Sequence, residues 1–128
     1  MNTAAALAPT TIPPLNPGEI YVGIVLEDGK PENARHVILQ PNEKKGVNWS
    51  NAVKWAKEQS GELPTRMEML LLFKTQCDLF SKDDPYWTSE PYAGYDAYAW
   101  YQTFGYGYQG YWRKDDEFRA RAVRRVVI

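Results

Sequence analysis

The chain has 128 residues, a formal net charge of −1 and a charged fraction of 24% against 44% hydrophobic. That length and balance fit one folded domain. They give no global pull toward nucleic acid or an anionic membrane, and no apolar run approaches the roughly 20 residues of a membrane helix. Cys77 is the only cysteine, so no disulfide forms within the chain, and a reducing compartment or disulfide-independent folding is expected.

In chain order, residues 1–17 carry Pro9, Pro13, Pro14 and Pro17 and read as an extended, mobile arm. The Ala-rich start lacks a basic n-region and a long enough apolar run, so no signal peptide is expected. The single domain is expected over residues 18–128. Glu19 to Leu26 is rich in Tyr, Val and Ile and predicts a strand. Glu27-Asp28-Gly29-Lys30 supplies a turn, because Asp-Gly tolerates positive φ. His36 to Leu39 is the returning strand, and Pro41 to Gly46 reads as a loop. Asn48 is a good N-cap for a helix from Trp49 to Gln59, with Ala52, Trp55 and Ala56 on one face. Gly61 stands where a C-terminal cap belongs. Thr65 and Glu68 have the spacing of a capping box, which opens a second helix from Arg66 to about Gln76. Asp83-Asp84-Pro85 turns the chain, and short strands with Gly-rich turns follow. In the last strand, Phe118 to Val127, Arg119, Arg121 and Arg125 alternate with Ala120, Ala122 and Val126. A hairpin, two helices and a run of antiparallel strands make an α+β domain.

Between Tyr86 and Trp112 the chain places twelve of its eighteen aromatic residues, with no Lys or Arg from Asp83 to Trp112. Tyr and Trp give large, stiff, amphipathic contact area at low entropic cost. Two readings compete. A small fold can use aromatics as core, and Trp87, Trp100, Phe104 and Trp112 are expected to be buried in part or whole. The tyrosines read instead as an exposed recognition set. The candidate ligand or partner site is Tyr92, Tyr95, Tyr98, Tyr101, Tyr106, Tyr108 and Tyr111, joined by Trp112 at the end of the same segment.

Catalytic and metal chemistry find little footing. His36 is the only histidine, and with a lone cysteine it makes no transition-metal set. Cys77 lacks a flanking base or strong cationic setting. Asp83, Asp84, Glu90 and Asp96 lack the regular spacing of a calcium loop. Asp115, Asp116 and Glu117 read as a solvated turn rather than a carboxylate pair held across a cleft. Residues 113–128 hold six positive against three negative charges. Beside aromatics this suggests single-stranded nucleic acid. The preferred reading is that these arginines pair with the acidic stretch from Asp83 to Asp96 and cover the core.

Several pieces arrive in a recognisable order: a Trp-bearing helix, Gly61-Glu62-Leu63-Pro64-Thr65-Arg66 opening the next, Tyr86-Trp87-Thr88-Ser89-Glu90, Ala99-Trp100 with Phe104-Gly105, and the closing Arg119 to Val126. Over roughly Val47 to Val127 the chain resembles the DUF1566 family, which is common in bacteria and in phage or prophage genomes. That family is similar to C-type-lectin-like folds and, more distantly, to formylglycine-generating sulfatase-modifying proteins. The resemblance implies a C-type-lectin-like domain, two helices flanking a small twisted antiparallel sheet, with the aromatic segment displayed where such folds bind ligands. It departs from the enzymes of the group, which need a cysteine pair or several histidines, and Glu90-Pro91-Tyr92 is not a calcium-lectin triplet. The expectation is therefore a non-enzymatic, phage-type binding module without a cofactor or metal. Its partner is a protein or a cell-surface glycan, in the virion or in the host cytoplasm. The alternative is a phage assembly protein that self-associates through its aromatic face.

Overall fold

The computed structural model describes residues 11–128. The part of the proline-rich arm before Thr11 lies outside the described residues. Six strands, β1 (Ile20–Val25), β2 (Arg35–Val47), β3 (Tyr86–Pro91), β4 (Tyr98–Gln102), β5 (Gln109–Arg113) and β6 (Phe118–Val127), join two helices, α1 (Trp49–Glu58) and α2 (Arg66–Gln76). The class is α+β, as the sequence predicts. The sheet runs β1-β2-β6-β3-β4-β5, which is larger than the small sheet expected. It is also mixed: β3 lies parallel to β6 through the pair Tyr86 and Arg119, while every other neighbour is antiparallel. Two antiparallel halves thus meet along one narrow parallel seam, tied by the Arg119 N–H donating to the Pro85 carbonyl at 3.0 Å.

One helix covers each face. On the α2 face, Met69 and Leu72 pack with Val22, Val25, Val37, Leu39, Val123 and a ring cluster of Phe80, Tyr86 and Phe104. On the α1 face, Ala52 and Ala56 let the helix sit close to Leu63, Trp87, Ala99, Ala120 and Ala122. The alternation read in β6 is the cause: its alanines all face α1, while Val123 faces α2. Each fully buried large side chain contributes on the order of 1.5–3 kcal/mol.

Local signals mostly act where expected. Asn48 caps α1 through its side-chain oxygen, which accepts from the Asn51 N–H at 2.9 Å. Thr65 and Glu68 form the reciprocal capping box of α2. Asp28 and Gly29 both take positive φ in the first turn. Two expectations are corrected. The predicted loop Pro41–Gly46 belongs to β2, whose pairing with β6 continues through register shifts between Leu39 and Glu43 and between Lys44 and Val47. Bulges of this kind accommodate Pro41, which has no N–H to give. The left-handed residue after α1 is Ser60, at φ 60°, not Gly61. Gly61 is required instead for close approach: a Cβ there would meet the Gln40 side chain, and would lie 2.7 Å from the Val123 carbonyl oxygen.

The arginines of β6 are also placed differently from the sequence reading. Only Arg119 reaches the Asp83–Asp96 stretch, through Asp84 at 2.9 Å, and it also holds Glu43 at 2.8 Å. Arg124 pairs with Glu19 at 2.9 Å and donates to the Pro14 carbonyl at 2.8 Å. Arg125 pairs with Glu68 at 2.7 Å and with Glu62. Arg121 is buried against Phe80 and donates to the carbonyls of Leu79 and Gln40, each at 3.0 Å. Burial lowers its guanidinium pKa.

Candidate functional site

The aromatic residues of the second half-sheet gather around β4 and β5. Their register pairs Tyr98 with Arg113, Trp100 with Tyr111, and Gln102 with Gln109. Because side chains alternate along a strand, these residues share the α2 face. Ala99, Tyr101, Gly110 and Trp112 belong to the other. The expected single face is thus split by the pleat into two groups.

The first group is the more tightly built. Tyr92 and Tyr111 stack at 3.8 Å and 9°, and both set an edge against Trp100, at 5.5 and 5.2 Å. Tyr95 stacks on Tyr98 at 4.9 Å, and Tyr98 meets Tyr111 at 6.1 Å. The loop from β3 to β4 brings them together, closed by the Tyr92 N–H to the Tyr98 carbonyl and the Tyr98 N–H to the Tyr95 carbonyl, at 2.9 and 3.0 Å. The hydrogen bond with the Tyr111 hydroxyl raises the Tyr92 phenol above its ordinary pKa, so Tyr92 keeps its hydroxyl proton at physiological pH.

A residue outside the aromatic stretch completes this group. The Arg66 guanidinium lies 3.5 Å from the Trp100 ring centroid, a cation–π contact. It is held there from three sides. Its Nε donates to Gln109 Oε1 at 2.9 Å, its carbonyl accepts from Gln109 Nε2 at 2.8 Å, and its backbone N–H donates to Glu90 Oε2 at 2.7 Å. Gln109 in turn donates to Gln102 Oε1 at 2.7 Å, and buried Gln102 donates to the Met69 carbonyl at 2.8 Å. Arg66 Nη1 and Nη2, and the Trp100 indole N–H, make no hydrogen bond among the described residues. In the sequence Arg66 reads as part of a helix start, and spacing alone does not reveal that the start faces Trp100.

The second group lies on the α1 face. Tyr101 meets Phe118 at 5.3 Å and Tyr108 at 6.2 Å. Gly110 makes room for both, since a Cβ there would lie 2.7 Å from the Tyr101 hydroxyl and 2.8 Å from the Tyr108 ring. Partial burial, and secondarily Tyr108, raises the Tyr101 pKa. Trp112 donates its indole N–H to Asp116, and the Arg113 guanidinium lies 5.4 Å from its ring.

Exposure sorts the predicted residues. Tyr95 is 61% exposed, Tyr106 93%, Tyr108 60%, Tyr111 43% and Trp112 44%. Tyr92, Tyr98 and Tyr101 are half-buried. Trp87 and Phe104 are buried as expected. Trp100 is only half-buried, because Arg66 rather than a hydrophobic layer covers it, and Trp112 is exposed because β5 is an outer strand. Tyr86 is fully buried, with its hydroxyl donating to Glu43 and accepting from the Ser81 N–H at 2.8 Å.

A cleft of about 400 Å³ lies elsewhere, between Glu27, Asp28, Glu32, Asn33, Ala34, Arg35, Arg125 and Val127. Beneath it, buried Glu68 accepts from Arg35, Arg125 and the Thr65 N–H. Burial pushes the Glu68 carboxyl up, but the Arg125 bonds and charge outweigh it and hold the carboxyl below its usual range. Among the described residues no three His, Cys, Asp or Glu side chains gather as a metal set, and no helix is long and apolar enough to cross a membrane. No protein-family model matches the chain, and no curated protein matches it in sequence.

Proposed function

We propose that this chain is a non-enzymatic, C-type-lectin-like binding module of the DUF1566 kind, encoded by a phage or prophage, that contacts a protein or a cell-surface glycan through the aromatics of β4, β5 and the loop before β4. The observation that carries the reading is the exposure of Tyr95, Tyr106, Tyr108, Tyr111 and Trp112 around β4 and the outer strand β5, in their loops and on both faces. A solvent-facing cluster of large rings is costly unless a partner covers it, and Tyr and Trp are the side chains that anchor interfaces. The mutual stacking of Tyr92, Tyr111, Tyr95 and Tyr98 supports it further, because rings already fixed lose little entropy on binding. The lectin-like fold and the phage origin rest on the motif order read in the sequence. The hairpin half β1-β2-β6, which brings both ends of the domain together, and the separate half that displays the loop are compatible with that fold.

The test compares material captured from bacterial envelope and from lysate by the wild-type chain and by Tyr98→Ala with Tyr111→Ala. A ligand retained by the wild type and lost by a folded double variant supports the reading. Capture indifferent to the double variant refutes it. A second reading is favoured by one observation: β5 is an outer strand of the sheet, and an outer strand offers unpaired backbone groups to another copy. In that case the aromatic face is an assembly contact of a phage particle, and sedimentation at micromolar concentration finds a stable oligomer that Trp112→Ala dissociates.

A further inference from the structure

Resting on the binding-face reading, we propose that the Arg66–Trp100 corner of that face is the subsite for a carboxylate-bearing sugar of a glycan. Four features of the corner converge on this ligand. First, the guanidinium is fixed but unspent. Trp100 at 3.5 Å and Gln109 at 2.9 Å set its plane, while Nη1 and Nη2 have no partner among the described residues. A planar fork with two free N–H pairs matches a carboxylate bidentately, and pre-setting it removes much of the ordering cost.

Second, the surroundings offer several further donors. The Trp100 indole N–H and the hydroxyls of Tyr92, Tyr98 and Tyr111 stand within the same ring assembly. A ligand rich in acceptor oxygens satisfies such a set. Third, the charge count selects one negative charge. No Lys or Arg occurs from Asp83 to Trp112, Arg113 is engaged by Asp116 at 3.1 Å, and Glu90 sits at the Arg66 backbone N–H. With the Glu90 carboxylate turned to the first N–H of α2, the single guanidinium matches one negative charge rather than the two of a phosphate. Fourth, the guanidinium lies on the Trp100 ring, against which Tyr92 and Tyr111 set their edges. Tyr111 stays 43% exposed after stacking on Tyr92. The C–H face of a pyranose packs on such a ring while its hydroxyls meet the phenols. An acidic peptide offers the charge without that flat apolar face.

The experiment titrates the wild-type chain, followed by tryptophan fluorescence and calorimetry, with oligosaccharides of galacturonate, glucuronate, mannuronate and N-acetylneuraminate, and with the carboxyl-reduced form of each. Sulfated oligosaccharides and a Glu-rich peptide are further arms. The expected result is binding of at least one acidic sugar, weakened about 10- to 100-fold by carboxyl reduction and equally by Arg66→Gln, the usual worth of hydrogen bonds to a charged group. Arg66→Lys keeps the charge but not the fork, and it is expected to fall between the two. Its melting temperature serves as the fold control should Arg66→Gln be unstable. The inference is overturned if no acidic sugar binds, if acidic and reduced sugars bind alike, if Arg66→Gln binds as the wild type does, or if the peptide or the sulfated sugars bind better. The wider reading falls separately. Should Tyr98→Ala with Tyr111→Ala leave every captured ligand bound, the face itself is not the site. Should the wild type bind neutral and acidic sugars alike and the double variant bind neither, the face stands without the carboxylate subsite.

Discussion

Replacing Glu68 by Gln tests whether the buried charge network at the start of α2 supports the fold. Glu68 Oε2 accepts from Arg35 Nε at 2.8 Å and from Arg125 Nε at 2.7 Å, while Oε1 accepts from Arg125 Nη2 at 2.8 Å and from the Thr65 N–H at 2.9 Å. The amide keeps the shape and one accepting oxygen. Its NH2 group then faces guanidinium donors, and two arginines lose their shared buried counter-charge. Removing one partner of a buried pair costs about 3–5 kcal/mol. Arg35 keeps Glu27, and Arg125 keeps Glu62, so the lower end applies, about 3 kcal/mol. For a domain of this length that lowers Tm by about 10–15 °C. Urea unfolding followed by tryptophan fluorescence measures it, with an unchanged m-value showing that the same surface unfolds. A loss under about 1 kcal/mol refutes the argument. The pH dependence carries a sign. The Glu68 carboxyl is held below its ordinary range in the folded chain, so its contribution is complete above the unfolded carboxyl pKa, about 4.3. It then declines by about 1.4 kcal/mol per pH unit as protons bind the unfolded state, and is gone below the lowered folded value. The stability gap between wild type and Glu68→Gln is therefore flat from pH 5.5 to 8, in the sense of about zero slope, and closes in acid. A gap that widens in acid reverses the assigned shift.

Two further substitutions probe the packing around the site. Tyr101 is half-buried against Phe118 on the α1 face, whereas Tyr108 beside it is largely exposed. Tyr101→Ala is expected to cost about 2–3 kcal/mol, below the range for fully buried aromatics, and Tyr108→Ala less than about 0.5 kcal/mol. Equal losses in thermal melts refute the division between core and surface rings. Gly61→Ala reverses the usual benefit of replacing glycine, because the new Cβ meets the Gln40 side chain and the Val123 carbonyl. A loss of about 1–3 kcal/mol is expected by overpacking, and a neutral or stabilised variant shows that Gln40 yields at no cost.

The elements legible in the sequence are those whose signal is local. Asn48, the Thr65–Glu68 box and the Arg/Ala alternation of β6 each act through neighbours within a few residues, and the structure places them as read. The length of β2 is not local. Pro41 and Gly46 look like loop residues, and only pairing with β6 across bulges keeps that segment in the sheet. The parallel seam joins residues 33 positions apart, Tyr86 and Arg119, and no periodicity announces it. Tyr86 opens the aromatic stretch and carries no sequence mark of burial, yet Phe80 and Phe104 enclose it at 5.0 and 5.3 Å. For β4 the alternation predicts which residues share a side of the strand. It does not predict that α2 begins over Trp100.

That last placement joins the structural and functional readings of Leu63-Pro64-Thr65-Arg66. The capping box sets where α2 starts, and the start sets Arg66 as its first helical residue. Glu90 at the end of β3 takes the Arg66 N–H, and Gln109 of β5 takes its side chain and carbonyl. Three elements from separate parts of the chain therefore converge on one arginine. A surface cation with a purely electrostatic role needs no such positioning, because charge in water acts weakly and without direction. A guanidinium set against an indole with its fork open has the geometry that the proposed carboxylate subsite requires. On the proposed reading the motif that is structural in the sequence also orients the binding corner, and disturbing the cap at Thr65 is the route by which a fold mutation reaches Arg66.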